Sequence, residues 1–155
     1  MNTLENVLKI LDENKIEYKK FDHEPVKTSE EAAKVRGVEL KTGVKAMLLK
    51  TSEEKFIMVL IEADKKVDLK KIAGMENTKK VQFAKTDEVL AETGCDTGAV
   101  PPFGHTKNGA PNKIKTYLDK NILLNGSVNF NAGNRTVSVS MEGKDLENVV
   151  DYVPF

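Results

Sequence analysis

Two apolar runs, residues 44–49 and 56–61, constrain the fold more than any other feature. Both are rich in residues that suit a pleated sheet, and the polar stretch Thr51-Ser52-Glu53-Glu54 between them reads as the turn of a β-hairpin. Neither run alternates cleanly between apolar and polar positions, so both faces of the hairpin must be covered. A sheet wrapped by helices or by a second sheet meets that demand. A chain of 155 residues suits one core of this kind, and a single domain spanning 1–155 is expected.

The flanking sequence supplies the covering elements. Leu4, Val7, Leu8 and Leu11 recur at helical spacing behind a cap at Asn2, with Glu5 three residues on to complete a capping box. Residues 16–21 read as a strand, broken by His23-Glu24-Pro25 ahead of a helix that Thr28 caps and Gly37 ends. Residues 68–73 and 86–91 read as short helices stopped by Gly74 and Gly94. Residues 94–133 hold six of the ten glycines and three of the five prolines, which predicts loops with short strands at 114–118 and 122–124. Residues 136–141 alternate at strand period, and Leu146, Val149 and Val150 mark the inner face of a last helix. Helices and strands intermix without a βαβ repeat, so the expected class is α+β.

Twenty-four basic and twenty-four acidic side chains cancel, which argues against a protein that grips nucleic acid mainly by long-range attraction. Residues 65–120 nevertheless carry 11 basic against 7 acidic groups. The pairs Lys65-Lys66, Lys70-Lys71 and Lys79-Lys80 read either as a local phosphate-facing patch or as solvated surface. Glu5, Lys9, Asp12 and Glu13 deny the N-terminal stretch the apolar centre of a signal peptide, and no run approaches the roughly 20 residues that cross a bilayer. Cys95 is the single cysteine, so no internal disulfide forms. A cytoplasmic protein without membrane or DNA partners is expected.

Three segments stand out chemically. Lys45 interrupts Val44-Lys45-Ala46-Met47-Leu48-Leu49, inside a strand expected to be buried. An ammonium there must reach water along its own stem, pair with a carboxylate, or line a cavity that receives an anion. In Gly98-Ala99-Val100-Pro101-Pro102-Phe103-Gly104-His105, prolines fix torsions and glycines permit unusual ones. The segment is either a structural turn or a rigid display of main-chain groups. Asn129-Phe130-Asn131-Ala132-Gly133-Asn134-Arg135 reads as a polar turn whose small residues let a ligand approach the backbone. Cys95 with His105 makes a poor nucleophile and base, since nothing lowers the thiol pKa. His23, His105 and Cys95 lack the close spacing of zinc ligands.

In order and spacing these segments resemble the YbaK family of editing domains, whose relatives include the insertion domain of bacterial prolyl-tRNA synthetases. The likeness rests on His23-Glu24-Pro25-Val26, on Thr28-Ser29-Glu30-Glu31-Ala32-Ala33, on the strand lysine in Gly43-Val44-Lys45-Ala46, on Gly98-x-x-x-Pro102-Phe103-Gly104 and on Asn131-Ala132-Gly133. The resemblance implies a mixed, mostly antiparallel, barrel-like central sheet with surrounding helices. It implies hydrolysis in trans of the ester in mischarged aminoacyl-tRNA, with proline tRNA carrying a small wrong amino acid as the substrate class, and no cofactor or metal. It assigns Lys45, Gly98 and Pro102 as catalytic elements. It places Thr28, Ala46, Val100, Pro101, Phe103, Gly104, His105, Asn131, Gly133 and Asn134 around the substrate. The acceptor end of aminoacyl-tRNA and an aminoacyl-tRNA synthetase are the implied partners. Alanine-removing members carry Asn after the strand lysine, where this chain has Ala46, and a histidine-containing turn where it has Asn134-Arg135. Two other readings compete: a non-catalytic tRNA- or nucleotide-binding module docked on a synthetase, and an interaction domain using residues 149–155 as a partner surface.

Overall fold

A computed structural model describes all 155 residues. In chain order it contains α1 (Thr3–Glu13), β1 (Tyr18–Asp22), α2 (Ser29–Arg36), β2 (Val44–Thr51), β3 (Phe56–Glu62), α3 (Leu69–Met75) and β4 (Val81–Phe83). There follow α4 (Thr86–Thr93), β5 (Thr106–Lys107), β6 (Ala110–Pro111), β7 (Lys115–Leu118), β8 (Ser127–Asn134), β9 (Val137–Glu142) and β10 (Tyr152–Pro154). Short 3-10 turns occupy Leu40–Thr42, Lys120–Leu124 and Gly143–Asn148. No helix is long and apolar enough to cross a membrane.

The hairpin of β2 and β3 lies inside a five-stranded sheet of order β10-β7-β3-β2-β4. Strands β2, β3 and β4 pair antiparallel, while β7 runs parallel to both β3 and β10. A three-stranded antiparallel sheet, β1-β9-β8, lies apart from it, and β5 and β6 form a minor hairpin. The missing alternation in β3 now has its cause. Met58 and Leu60 join the larger core with Val7 and Leu11 of α1 and Phe130 and Val139 of the second sheet. Ile57, Val59 and Ile61 point to the opposite face, covered by Ile72 and Ala73 of α3. Truncating a fully buried aromatic such as Phe130 costs about 3–5 kcal/mol.

The two sheets do not close into the expected barrel. Beyond strand pairing within each sheet, a single parallel bridge between Gly43 and Asn129 links them. β4 pairs with β2 at Leu49, Lys50 and Thr51 alone, so the opposite half of that β2 edge stays open. The hydrogen bonds Ala63 N–H to Gly43 carbonyl (2.8 Å) and Thr51 N–H to Lys55 carbonyl (2.8 Å) fix which β2 residues bond to β3. By antiparallel alternation those are the odd-numbered ones, and the N–H and C=O of Ala46 face the open edge.

Local chemistry explains the helix ends. Asn2 accepts from Glu5 N–H at 2.8 Å and Thr28 accepts from Glu31 N–H at 3.1 Å, satisfying donors that the helices leave over. Gly37 and Gly94 close α2 and α4 in left-handed conformations. Gly74 does not stop α3, which runs on to Met75; the chain reverses instead at Asn77, with φ of 54°. Residues 122–124 form a 3-10 turn rather than a strand, because the Asp119 carboxylate accepts from Asn121 N–H at 2.9 Å and nucleates it. The last helix shrinks to Gly143–Asn148, with Leu146 buried but Val149 and Val150 beyond it. Residues 152–154 pair with β7, and Phe155 donates to the Leu118 carbonyl at 3.0 Å under the Lys71 ammonium. That docking ties residues 152–155 to the sheet, while Val153 stays 41% exposed on its edge strand.

Candidate active site

The open edge of β2 is one wall of a cleft whose cavity measures about 330 Å³. α2, strand β8 and the loop at residues 97–100 supply the others. β8 is the element least expected from the sequence. Val128, Phe130 and Ala132 alternate into the core, so the asparagines at 129 and 131 lie on the other face, against the cleft. What read as a turn at Asn131-Ala132-Gly133 is therefore strand, with a register irregularity between Asn131 and Asn134 before β9.

Lys45 lines this cleft and is half-buried rather than fully enclosed. Its Nζ donates to the Lys65 carbonyl at 2.5 Å. Burial lowers its pKa, the carboxylates of Glu30 and Asp64 oppose that shift, and Lys66 adds to it. No carboxylate lies within ion-pair distance of the ammonium, whose hydrogen bond goes to the neutral Lys65 carbonyl.

The loop at residues 97–100 is held by three consecutive carbonyls. Thr97 O accepts from Arg135 Nη2, Gly98 O from Asn131 Nδ2 at 2.6 Å, and Ala99 O from Gly133 N–H at 3.0 Å. In a trans peptide the following N–H points the opposite way from its carbonyl. The N–H groups of Gly98 and Val100 consequently face away from those anchors, both residues line the cleft, and neither N–H has an acceptor in the protein. Gly98 sits at φ of 90°, which side chains rarely tolerate.

The remaining expected site residues divide sharply. Thr28, Ala46, Val100 and Asn131 line the same cleft as Lys45 and Gly98. Pro102, Phe103, Gly104 and His105 instead border a separate depression. Pro101 is buried, and its carbonyl bonds the Nε2 of His105 at 2.7 Å. Burial pushes the His105 pKa down to about 4, against the opposing effect of that bond, so the imidazole is neutral at neutral pH. Phe103 stacks edge-on with Phe130 at 5.7 Å. A Cβ on Gly104 would meet Val7 Cγ2 at 2.8 Å. Gly133 packs against Thr3 and Leu4, where a Cβ would come within 3.1 Å of the Leu4 nitrogen. Asn134 accepts from Thr136 at 2.9 Å and shapes the β8–β9 turn. These residues brace the loop from behind.

Sequence reading missed Arg36 and Asn129, both of which line the cleft. Arg36 looks like an ordinary basic residue at a helix end, yet its Nε reaches Ser138 (2.8 Å), its Nη1 Asn129 (2.9 Å) and its Nη2 Asn131 (2.8 Å). Every partner is neutral. Burial lowers its pKa to about 10, leaving a cation throughout the neutral range. One signal was available: Ser29, Ala32, Ala33 and Arg36 share a helix face, and all four line the cleft. Cys95 is buried, burial raises its thiol pKa, and it lies in the packed core.

Comparison with known proteins agrees with this architecture. A family model described as the aminoacyl-tRNA editing domain matches residues 23–149. The chain is 29% identical over 151 residues to the prolyl-tRNA editing protein ProX of Acetoanaerobium sticklandii, covering 97% of this chain and 92% of that one. It is 26% identical over 147 residues to the multifunctional Ser/Thr-tRNA deacylase ProXp-y of Escherichia coli, covering 92% and 85%. A solved structure described as a candidate trans-editing enzyme for prolyl tRNA synthetase superimposes with a TM-score of 0.82. At 21% identity it covers all of this chain and 96% of that chain, and it supports the fold. The match to residues 23–149 takes in the whole cleft, and the chain belongs to the aminoacyl-tRNA editing domain family.

Proposed function

We propose that this protein hydrolyses the ester of mischarged aminoacyl-tRNA in trans, with a small amino acid on proline tRNA as its substrate class. One observation supports the reading: Lys45, Gly98 and Val100 line one small cleft, and the N–H groups of Gly98 and Val100 have no acceptor in the protein. An aminoacyl ester is a reactive acyl donor, so orienting water and stabilising the charge on its carbonyl oxygen is sufficient catalysis. Water oxygen adds to the carbonyl carbon while Gly98 and Val100 donate to the developing oxyanion. The tetrahedral adduct then breaks its bond to the ribose oxygen. That oxygen takes up the proton that water surrenders, releasing free amino acid and tRNA. The neighbouring ribose hydroxyl orients the water. Lys45 binds the terminal phosphate, and the open-edge carbonyl of Ala46 accepts from the substrate α-amino group.

The cavity lies at the small end of ligand pockets, and Val26, Met47 and Val89 give it apolar walls. Selection therefore works mainly by excluding larger side chains, since one methylene is worth about 1–3 kcal/mol. The test incubates purified protein with tRNA charged with alanine, cysteine, serine, threonine or proline and follows loss of the ester. Turnover of at least one small aminoacyl ester, with the correctly charged proline tRNA spared, supports the proposal. Saturable binding without hydrolysis would instead favour the binding module.

A further inference from the structure

The proposed chemistry depends on where the Gly98 and Val100 N–H groups point, and the loop carrying them has no strand or helix of its own. A relay of side-chain hydrogen bonds from α2 reaches it. Arg36 Nη2 donates to Asn131 Oδ1 at 2.8 Å, and Asn131 Nδ2 donates to the Gly98 carbonyl at 2.6 Å. We propose that Arg36 is the positioning residue of this cleft: by fixing the amide of Asn131 it fixes Gly98, and with it the donors that meet the substrate carbonyl.

The physical reason lies in the symmetry of an asparagine amide. Its terminal torsion has two wells of similar shape that exchange oxygen for nitrogen. With Arg36 present, the flipped amide would set its NH₂ against a guanidinium donor and its oxygen against the Gly98 carbonyl. Both contacts are repulsive. Arg36 therefore selects the one orientation that anchors the loop. Asn129 is set in the same way, its Oδ1 accepting from Nη1 at 2.9 Å and its Nδ2 donating to Thr42 Oγ1 at 2.9 Å. A planar guanidinium orients both asparagines and Ser138 at once, which a lysine ammonium cannot do. The absence of a carboxylate partner fits this assignment. An ion pair would hold the charge without choosing an amide orientation.

The inference rests on the deacylase reading for its catalytic consequence, while its structural half is measured without substrate. The variants are R36K, R36Q and N131D. Asn131→Asp keeps an acceptor for Arg36 but replaces the donor to Gly98 with an oxygen, cutting the relay while retaining an ion pair in its place. Amide hydrogen exchange of the free protein should show protection at Ala99 and Gly133 falling about tenfold in all three, as expected for losing roughly one hydrogen bond's worth of anchoring. Deacylation should lose about 100-fold in kcat with KM little changed, the signature of misplaced rather than missing groups. Should R36Q fail to fold, R36K and N131D decide. Unchanged exchange at Ala99 and Gly133, or full kcat in R36K or N131D, overturns the proposal. So does a lowered Tm with kcat of the folded fraction intact, because that is what a purely structural arginine gives. If the wild type cleaves no charged tRNA, the proposed function falls, and the exchange comparison still decides whether the relay exists.

Discussion

Residues 97–100 and 101–105 are consecutive stretches of one loop with opposite relations to the rest of the molecule. The first spends its carbonyls on β8 and the turn that follows it, leaving the N–H groups of two cleft-lining residues without an acceptor. The second packs against β8 through Phe103 on Phe130 and against α1 through the Gly104 backbone on Val7, and closes on itself through His105 and the Pro101 carbonyl. A single Gly-x-x-x-Pro pattern thus contains a half that lines the cleft and a half that supports it from the core. Residue identity does not separate them; the direction each peptide faces does.

Damage to the supporting half should appear in stability and damage to the cleft-lining half in turnover. The largest effect is expected for Phe103→Ala, which should cost about 3–5 kcal/mol by leaving a cavity in the core. Denaturant melts should report that loss while kcat of the folded fraction changes far less. A kcat that collapses without loss of stability would put Phe103 on the chemical side.

His105 gives the second effect, through pH. Its folded pKa of about 4 lies below the roughly 6.5 of an unfolded histidine, so the unfolded chain binds the extra proton between those values. Its neutral form therefore supports the fold above about pH 6.5, and that support drains away as pH falls toward 4, by on the order of 3 kcal/mol. Unfolding free energies measured along that range should flatten in His105→Gln relative to wild type. An unchanged slope would mean that His105 titrates normally.

Lys45→Ala comes third, with deacylation falling about 100-fold and the melting curve unmoved, as expected for removing one charge aimed at substrate. Full activity in that variant would refute the role of the strand lysine. The smallest effect belongs to Gly98→Ala, where the φ of 90° imposes about 1–2 kcal/mol of backbone strain. Turnover should drop by roughly tenfold, the rate equivalent of about 1.4 kcal/mol, through displacement of the donor pair, with stability affected no more than that.

The hairpin, the caps at Asn2 and Thr28 and the two-faced burial of β3 were legible because each depends on local chemistry or on a run of apolar residues. Lys45 was legible for the same reason, as a charge out of place in such a run. Two parts were not. Asparagine is a poor strand former, so Asn129 and Asn131 hid β8 inside what looked like a turn. Arg36 carried no local anomaly, since its role comes from Asn129, Asn131 and Ser138, roughly a hundred residues away along the chain. Conversely, the family resemblance drew Pro102 through His105 toward the substrate, although packing turns them away from the cleft that holds Lys45. A motif records which residues travel together and not which side of the backbone each one serves.

The most direct test of the central claim is amide NMR of the protein titrated with an aminoacyl-adenosine whose ester is replaced by a non-hydrolysable amide. Saturation should move the Gly98 and Val100 amide protons downfield, as new hydrogen bonds to the ligand carbonyl form, and leave Phe103 to His105 nearly still. Shifts centred on Phe103 to His105, with Gly98 and Val100 unmoved, would contradict the account.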